Sequence, residues 1–328
     1  MKTIRIIKPY ATIGLDNDCK IYKAFFEEFY PDEYMIYISD SSIKLTKKEY
    51  IHIYISNTKY ELTQMADVRL FMINHELFSQ KDTDLEVLKN IDYVLCRTNI
   101  SVEWANDIKK KYNLLYGIIY TKFTSLFPII KVKKIYNLLL HSAGEHHWKQ
   151  TDAIVQAWVT YPDLPSIVIT CTSQCYDNIK TILRDKAIPK NMILYNKLLD
   201  AEKFNLIKNE VGIHLCPSIV EGYGHYINEA RKVRSLVITS DYPPMNELVD
   251  EESGVLIKCS SFGKKKNGAV LCIIDKEQIY LGVMKTINLD LSTREKMVAR
   301  SYKKFVEDTD FFNRVMRELM DSIRAKRP

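Results

Sequence analysis

No stretch of this 328-residue chain comes near the roughly 18–20 consecutive apolar residues that a membrane-spanning helix requires. An apolar signal core with a cleavage site is also missing. The opening Met1-Lys2-Thr3-Ile4-Arg5-Ile6-Ile7-Lys8 sets charges inside its apolar run and reads as a first β-strand, so a soluble, cytoplasmic protein is expected. Cysteines at CxxC spacing are absent too. The seven present, Cys19, Cys96, Cys171, Cys175, Cys216, Cys259 and Cys272, are odd in number and mostly lie in apolar strand-like runs. That pattern reads as buried reduced thiols, not as a disulfide framework or a zinc site. Charge of one sign is not concentrated. The net charge of +6 is spread out, with small clusters at Lys109-Lys110-Lys111, Lys264-Lys265-Lys266 and Arg324-Ala325-Lys326-Arg327. Solvated faces account for such clusters, and nucleic acid is not expected as a partner, while a slight basic excess suits a protein that holds a diphosphate or nears an anionic surface. Internal repeats and low-complexity segments are also lacking.

What is present is a folded-protein composition, 46% apolar and 27% charged, with length enough for two domains. Strand-like and helix-like segments alternate nearly throughout, which indicates α/β architecture with parallel sheets. In the first half the strands are 3–7, 34–39, 50–56, 70–74, 93–96 and 114–121, with helical patterns at 21–29 and 101–111. A charged stretch at Lys131-Val132-Lys133-Lys134 precedes a second series, with strands at 135–140, 166–171, 191–194, 212–216, 236–239, 254–257 and 270–274. Its helices fall at 151–160, 176–184, 201–210, 226–232 and 276–287. Residues 292–325 read as two helices with a break near Glu307–Asp310, and 260–268 as a mobile loop. The expected division is 1–132, 133–305 and a C-terminal helix, 306–328, packed back on the first domain.

The most informative stretch runs from Gly212 to Ala230. A buried strand ends at Pro217-Ser218, a loop with Gly222 and Gly224 follows, and a helix opens near His225. Glycines in such a loop let the backbone approach a ligand closely, and the helix N-terminus adds positive potential suited to phosphate. Glu221 stands in the loop and Glu229 about one turn into the helix. A carboxylate accepts two hydrogen bonds side by side, so each glutamate is a candidate for gripping vicinal hydroxyls. Taken alone, a Gly-x-Gly between two glutamates favours a surface loop with a capped helix and two solvated carboxylates.

The spacing of the two glutamates, with Pro217-Ser218, Glu221-Gly222-Tyr223-Gly224, Glu229-Ala230 and Pro243-Pro244-Met245-Asn246-Glu247-Leu248 in that order, resembles the donor-binding region of the large fourth family of glycosyltransferases. The likeness covers residues 135–258. It implies the GT-B fold, two facing Rossmann-like domains with a C-terminal helix crossing back, and sugar transfer from a nucleoside diphosphate sugar with retention and without metal. In that frame Glu229 holds the ribose, Glu221 the transferred sugar, and Lys149 with the Gly222–His225 backbone (Tyr223 included) the phosphates. Ser142 and Gly144, after strand 135–140, fall where the family keeps a diphosphate-binding glycine and basic pair. Lys149 matches the pair's lysine, and Glu145 stands near the place of its arginine, with His146 and His147 beside it. Asn196-Lys197-Leu198 would lie near the base. From the first domain, Gly14 sits where the family has a glycine-bearing loop, His75 where a histidine reaches the sugar, with Glu76 next to it, and Arg97 is a weaker candidate. The resemblance further implies no cofactor beyond the UDP- or GDP-sugar substrate and a glycan, protein or lipid acceptor. A DNA-base glucosyltransferase of the same fold and a non-catalytic sugar-nucleotide-binding module remain as alternatives.

The histidines His141, His146 and His147 near Glu145 have no recognisable ligand spacing, and no metal site is expected. Asp82-Thr83-Asp84 and Asp308-Thr309-Asp310 each precede a helical pattern and read as N-caps.

Overall fold

The computed structural model describes the chain apart from residues 11, 80, 145–146, 185, 266–267 and 327–328, and apart from the side chains of Asp82 and His147. The chain forms two compact units, Met1–Leu126 with Glu307–Pro328, and Phe127–Val306.

The first unit runs β1 (Lys2–Lys8), α1 (Ile13–Phe29), β2 (Tyr34–Asp40), β3 (Glu49–Ile55), α2 (Tyr60–Thr63), β4 (Ala66–Met72), α3 (Asp82–Lys89), β5 (Tyr93–Cys96), α4 (Asn99–Lys111) and β6 (Gly117–Tyr120). Its strands form one parallel sheet in the order β2-β1-β3-β4-β5-β6. Parallel strands carry helices on both faces and read as nearly unbroken apolar runs. In β3 every residue of Glu49–Ile55 is buried.

The second unit continues with β7 (Ile135–Gly144), α5 (Thr151–Thr160), β8 (Ser166–Cys171), α6 (Ser173–Leu183), β9 (Met192–Tyr195), α7 (Ala201–Glu210), β10 (Val211–Cys216), α8 (His225–Lys232), β11 (Leu236–Ser240), α9 (Met245–Leu248), β12 (Val255–Ile257), β13 (Ser261–Lys264), β14 (Val270–Ile273), α10 (Lys276–Ile287) and α11 (Leu291–Lys326). The main sheet is again parallel, ordered β12-β11-β10-β7-β8-β9. Its core includes Leu139, Ile154, Trp158, Ile167, Ile213, Leu215, Leu236 and Ile238. Helix starts are set by side-chain caps. Thr172, Asp200 and Asp275 each accept from the backbone N–H three residues on, satisfying a donor that the helix itself leaves open.

Four expectations need correction. Residues 291–326 are one helix of 36 residues, without a break at 307–310. Asp308 and Thr309 are mid-helix and bonded sideways: Lys122 Nζ donates to Asp308 Oδ1 at 2.5 Å, and the Thr124 and Thr309 hydroxyls pair at 2.7 Å. Those bonds satisfy polar side chains that would otherwise favour a helix end. Past them, Phe312, Met316, Leu319, Met320 and Ile323 are buried, and the Phe312 ring meets those of Tyr22, Phe25 and Phe123 at 5.2–5.9 Å between centroids. The Asp82-Thr83-Asp84 stretch is the first turn of α3 and not its cap, which is Lys81. The segment 260–268 is no open loop, because β13 pairs antiparallel with β14 in a hairpin. At the root of that hairpin Cys259 and Cys272 form a disulfide, with Cα atoms 5.4 Å apart, so five of the seven cysteines are free thiols.

Candidate donor-binding site

In an open parallel sheet, ligands bind beyond the carboxyl ends of the strands where the strand order reverses. The second sheet reverses between β7 and β10, since β8 and β9 lie on one side of β7 and β10, β11 and β12 on the other. The segments leaving those two strands are the ones singled out above.

After β7 the chain turns at Gly144, with φ +64°, a left-handed conformation in which a side chain is strained. A single 3₁₀ turn, His147–Lys149, brings the lysine back, and Gln150 continues in the left-handed region at φ 53°. The Lys149 ammonium donates to the Ser142 carbonyl at 3.0 Å and lies 4.3 Å from the centre of the Tyr226 ring. A β-carbon added to Gly144 would sit 3.6 Å from Lys149 Nζ, so the glycine and the lysine occupy one small volume. Burial holds the ammonium below the ordinary lysine value, Glu221 draws it back up, and Lys208 adds to the depression.

After β10 the backbone bends through Ser218. The N–H of Ser218 bonds to the Ser240 hydroxyl at 2.9 Å, which itself donates to the Ser218 carbonyl at 2.7 Å. The Ser218 hydroxyl donates to Glu221 Oε1 at 2.6 Å and lies 2.5 Å from the Tyr226 hydroxyl. Because the serine's one proton goes to the carboxylate, Tyr226 supplies the other proton, giving a directed chain from Tyr226 through Ser218 to Glu221. Burial pushes the Tyr226 phenol well above its ordinary value, which keeps it a donor. The loop ends at Gly224, φ +98°, the cap of α8. Here a β-carbon would meet Ile227 and Leu248 side chains at 3.2 and 3.3 Å. Tyr223 is buried and its hydroxyl accepts from Asn228, so its ring is structural.

Glu229, on α8, is ion-paired with Lys208 of α7. The Cys216 thiol at the end of β10 is pushed up to about 12 by burial and lies in the field of Lys208, Lys149, Glu229 and Glu221 together. Two cations and two carboxylates thus meet around the switch point. Lys208 is the residue that sequence reasoning passed over. Its signal was its place four residues after Phe204, a cation on the apolar side of α7.

Other expected residues are placed less centrally. Asn196, Lys197 and Leu198 are exposed just past β9, two strands from β7 on the same edge. His225 opens α8 and packs edge-on to Tyr223, with centroids 5.5 Å apart. Glu145 and His146 lie outside the described residues. His141 is a core residue: its ring nitrogens meet the Leu215 carbonyl and the Thr151 hydroxyl, both at 2.9 Å, and burial lowers it to about 3. Among the described residues no group of three or more His, Cys, Asp or Glu side chains is placed to hold a metal ion. In the first unit Gly14 lies inside α1 and not in a loop, with nothing within 4 Å of a β-carbon there. His75 and Glu76 follow β4, are nearly buried and stand 3.7 Å apart. Arg97 is taken up internally, donating to Asp18 at 2.6 Å and to Asn74. No described helix is long and apolar enough to cross a membrane.

No protein-family model matches the chain, and no curated protein matches it by sequence. Solved structures do match. Sucrose-phosphate synthase from Thermosynechococcus elongatus aligns over 99% of this chain and 100% of its own, with a TM-score of 0.74 at 10% identity. HepE from Anabaena, in complex with UDP and glucose, aligns over 98% and 100%, with a TM-score of 0.70 at 12% identity. The pneumococcal O-GlcNAc transferase GtfA, in complex with UDP and GlcNAc, aligns over 84% of this chain at 15% identity and a TM-score of 0.60, and there the chain spans 56% of the partner's length. With two Rossmann-like units and a C-terminal helix that ends in the first of them, these likenesses make the fold GT-B.

Proposed function

We propose that the chain is a glycosyltransferase that moves a hexose from a nucleoside diphosphate sugar to an acceptor hydroxyl. The observation that carries this reading is the meeting of the Gly144 turn, Lys149, the Ser218–Gly224 loop and Glu229 at the switch point between β7 and β10. That edge offers a cation, a helix N-terminus and two hydroxyl-accepting carboxylates within one sheet end, which matches the three chemical parts of such a donor. Uridine is the first nucleoside to test, since GtfA and HepE were each solved with UDP.

In the proposed reaction the bond between the anomeric carbon and the β-phosphate oxygen breaks, and its electron pair leaves with the diphosphate. The acceptor oxygen forms the new bond and gives its proton to the oxygen of the departing diphosphate. Lys149 and the amides at the start of α8 offset the charge that grows on the leaving group. Glu221, aligned by Ser218, holds sugar hydroxyls, and Glu229 holds ribose. Retention of configuration, membership of the fourth family, independence of metal and a role for His75 and Gly14 belong to the same proposal. So do base contacts from Asn196–Leu198, a glycan, protein or lipid acceptor, and acceptor binding by the first unit. A cytoplasmic address belongs to the same proposal.

The test is a thermal-shift and turnover series with UDP- and GDP-sugars, each with and without EDTA. A ligand that binds only the folded state raises its unfolding temperature. Stabilisation by a nucleoside diphosphate that survives EDTA, together with sugar release to water or a simple acceptor, is the expected result. Loss of binding in EDTA overturns the metal-free reading, and binding without any turnover leaves a sugar-nucleotide-binding module.

A further inference from the structure

Lys208 is 1% exposed, on the last turn of α7, and its ammonium is ion-paired with the Glu229 carboxylate. An ammonium taken out of water costs several kcal/mol unless a countercharge in good geometry offsets it, so a lysine this deep is held for a reason that packing alone does not supply. It is constrained from several sides. The ammonium lies 4.8 Å from the ring centre of Phe127 and 5.2 Å from that of Phe204, both favourable for a cation. Its backbone carbonyl accepts from Nε2 of the buried His214 at 3.1 Å. Next to it, Asn209 accepts from the Ile130 N–H at 2.9 Å and donates to the Pro128 carbonyl at 3.1 Å, which pins the end of the helix. The ammonium therefore has one place to be, and that place is the Oε2 side of Glu229.

Glu229 is complementary in what it leaves open. Its side chain keeps 12% of its exposure, and Lys208 takes only Oε2. The Oε1 atom forms no hydrogen bond among the described residues. A free carboxylate on a surface helix rotates among several rotamers, and each one lost on binding costs affinity. With one oxygen anchored to a rigid cation, the other is presented in a single direction.

We infer that Lys208 is the positioning residue of the donor clamp: it fixes the Glu229 carboxylate in one orientation, so that its remaining oxygen meets the ribose hydroxyls of the nucleotide. Lys208 itself does not touch the donor. Its charge also cancels that of Glu229 locally, which matters because a diphosphate must arrive nearby with only Lys149 as a side-chain cation named for it. The inference rests on the sugar-nucleotide reading above.

The experiment is titration calorimetry of the full chain with UDP and with 2′,3′-dideoxy-UDP. The parent protein prefers UDP. In Lys208→Met, UDP affinity falls by about tenfold to a hundredfold, the loss expected when a hydrogen bond to a charged group is weakened. Affinity for the dideoxy nucleotide stays at the parent's level, so the preference for ribose hydroxyls disappears. Lys208→Arg, which keeps the charge, restores part of it. A merely structural lysine would lower both affinities by the same factor, and that result, or no change in either, overturns the inference. If Lys208→Met does not fold, Lys208→Gln, which removes the charge but keeps a polar end and leaves Glu229 intact, carries the same comparison. A parent that binds neither UDP nor GDP overturns the sugar-nucleotide reading itself, whereas binding by the parent with an unaltered Lys208→Met overturns only the role of Lys208.

Discussion

The ammonium of Lys149 lies 4.3 Å from the centre of the Tyr226 ring, and the Tyr226 hydroxyl is 2.5 Å from the serine that orients Glu221. One aromatic side chain thus supports both the cation and the carboxylate of the candidate site. For a cation that acts on a departing diphosphate, Lys149→Ala should reduce kcat by about 10²–10³, the usual cost of one preorganised electrostatic donor. The intact donor should bind with a much smaller change, because the charge grows only in the transition state. Turnover and donor affinity measured on the same folded preparation check this split. An affinity loss as large as the rate loss would mean that Lys149 acts in binding.

Ser218→Ala removes the link between Tyr226 and Glu221. The buried Tyr226 hydroxyl then loses its hydrogen-bond acceptor, which costs about 1–3 kcal/mol. A lower unfolding temperature and a raised KM for the sugar donor are expected, with the nucleoside diphosphate alone binding as before. Adding Tyr226→Phe to Ser218→Ala removes the orphaned hydroxyl, so stability should recover but KM should not. Differential scanning calorimetry and initial-rate kinetics separate the two effects.

Acid should destabilise the second unit through its buried histidines. His141 is lowered to about 3 and His214 well below its ordinary value, in both cases chiefly by burial. In the interval below the unfolded value of about 6.5 the unfolded chain binds more protons than the folded one, so stability rises with pH there. It is complete above that value and is lost as pH falls toward about 3. Each such histidine contributes a slope of about 1.4 kcal/mol per pH unit inside its window. Denaturant unfolding at pH 7, 6 and 5 should show it, and His141→Gln should reduce the slope. An unchanged slope would mean that His141 does not titrate on unfolding.

Reduction of the Cys259–Cys272 bond should weaken the hairpin. The bridge closes a loop with a sequence separation of 13. Closing a loop near that size is worth about 3 kcal/mol in the chain-entropy account. Dithiothreitol, or Cys259→Ser, should therefore lower the unfolding temperature. Its first effect should be at the hairpin's docking bonds, Cys272 N–H to the Ile219 carbonyl at 2.8 Å and Ile274 N–H to Gln150 Oε1 at 2.6 Å. Amide exchange at those two positions, faster after reduction, is the readout.

Much of the fold was legible because parallel strands buried on both faces leave apolar runs, as in Val211–Cys216. The misses have a common cause. Ser261–Lys264 is mostly exposed and has no apolar run, so it becomes a strand only through its antiparallel partner, Val270–Ile273. Asp308 and Thr309 look like a helix break until Lys122 and Thr124 are beside them. In the candidate site, Glu221, Glu229, Lys149 and the glycines stood out by type and spacing. Lys208 did not, because its place four residues after Phe204 is a faint signal, and only the fold sets it between Phe127, Phe204 and a carboxylate.

The bridge at the root of the hairpin makes the segment from Cys259 to Cys272 a covalent ring carrying Lys264 and Lys265. Trypsin cuts after lysine, and Lys264 is exposed in that ring. A chain nicked there is two peptides joined through sulfur, which migrate as one species until a reductant parts them. Damage at this place on the molecule would thus be hidden from a denaturing gel run without reductant, while the Lys265 ammonium, 4.1 Å from the ring centre of Trp148, would still be tethered beside the turn that carries Lys149.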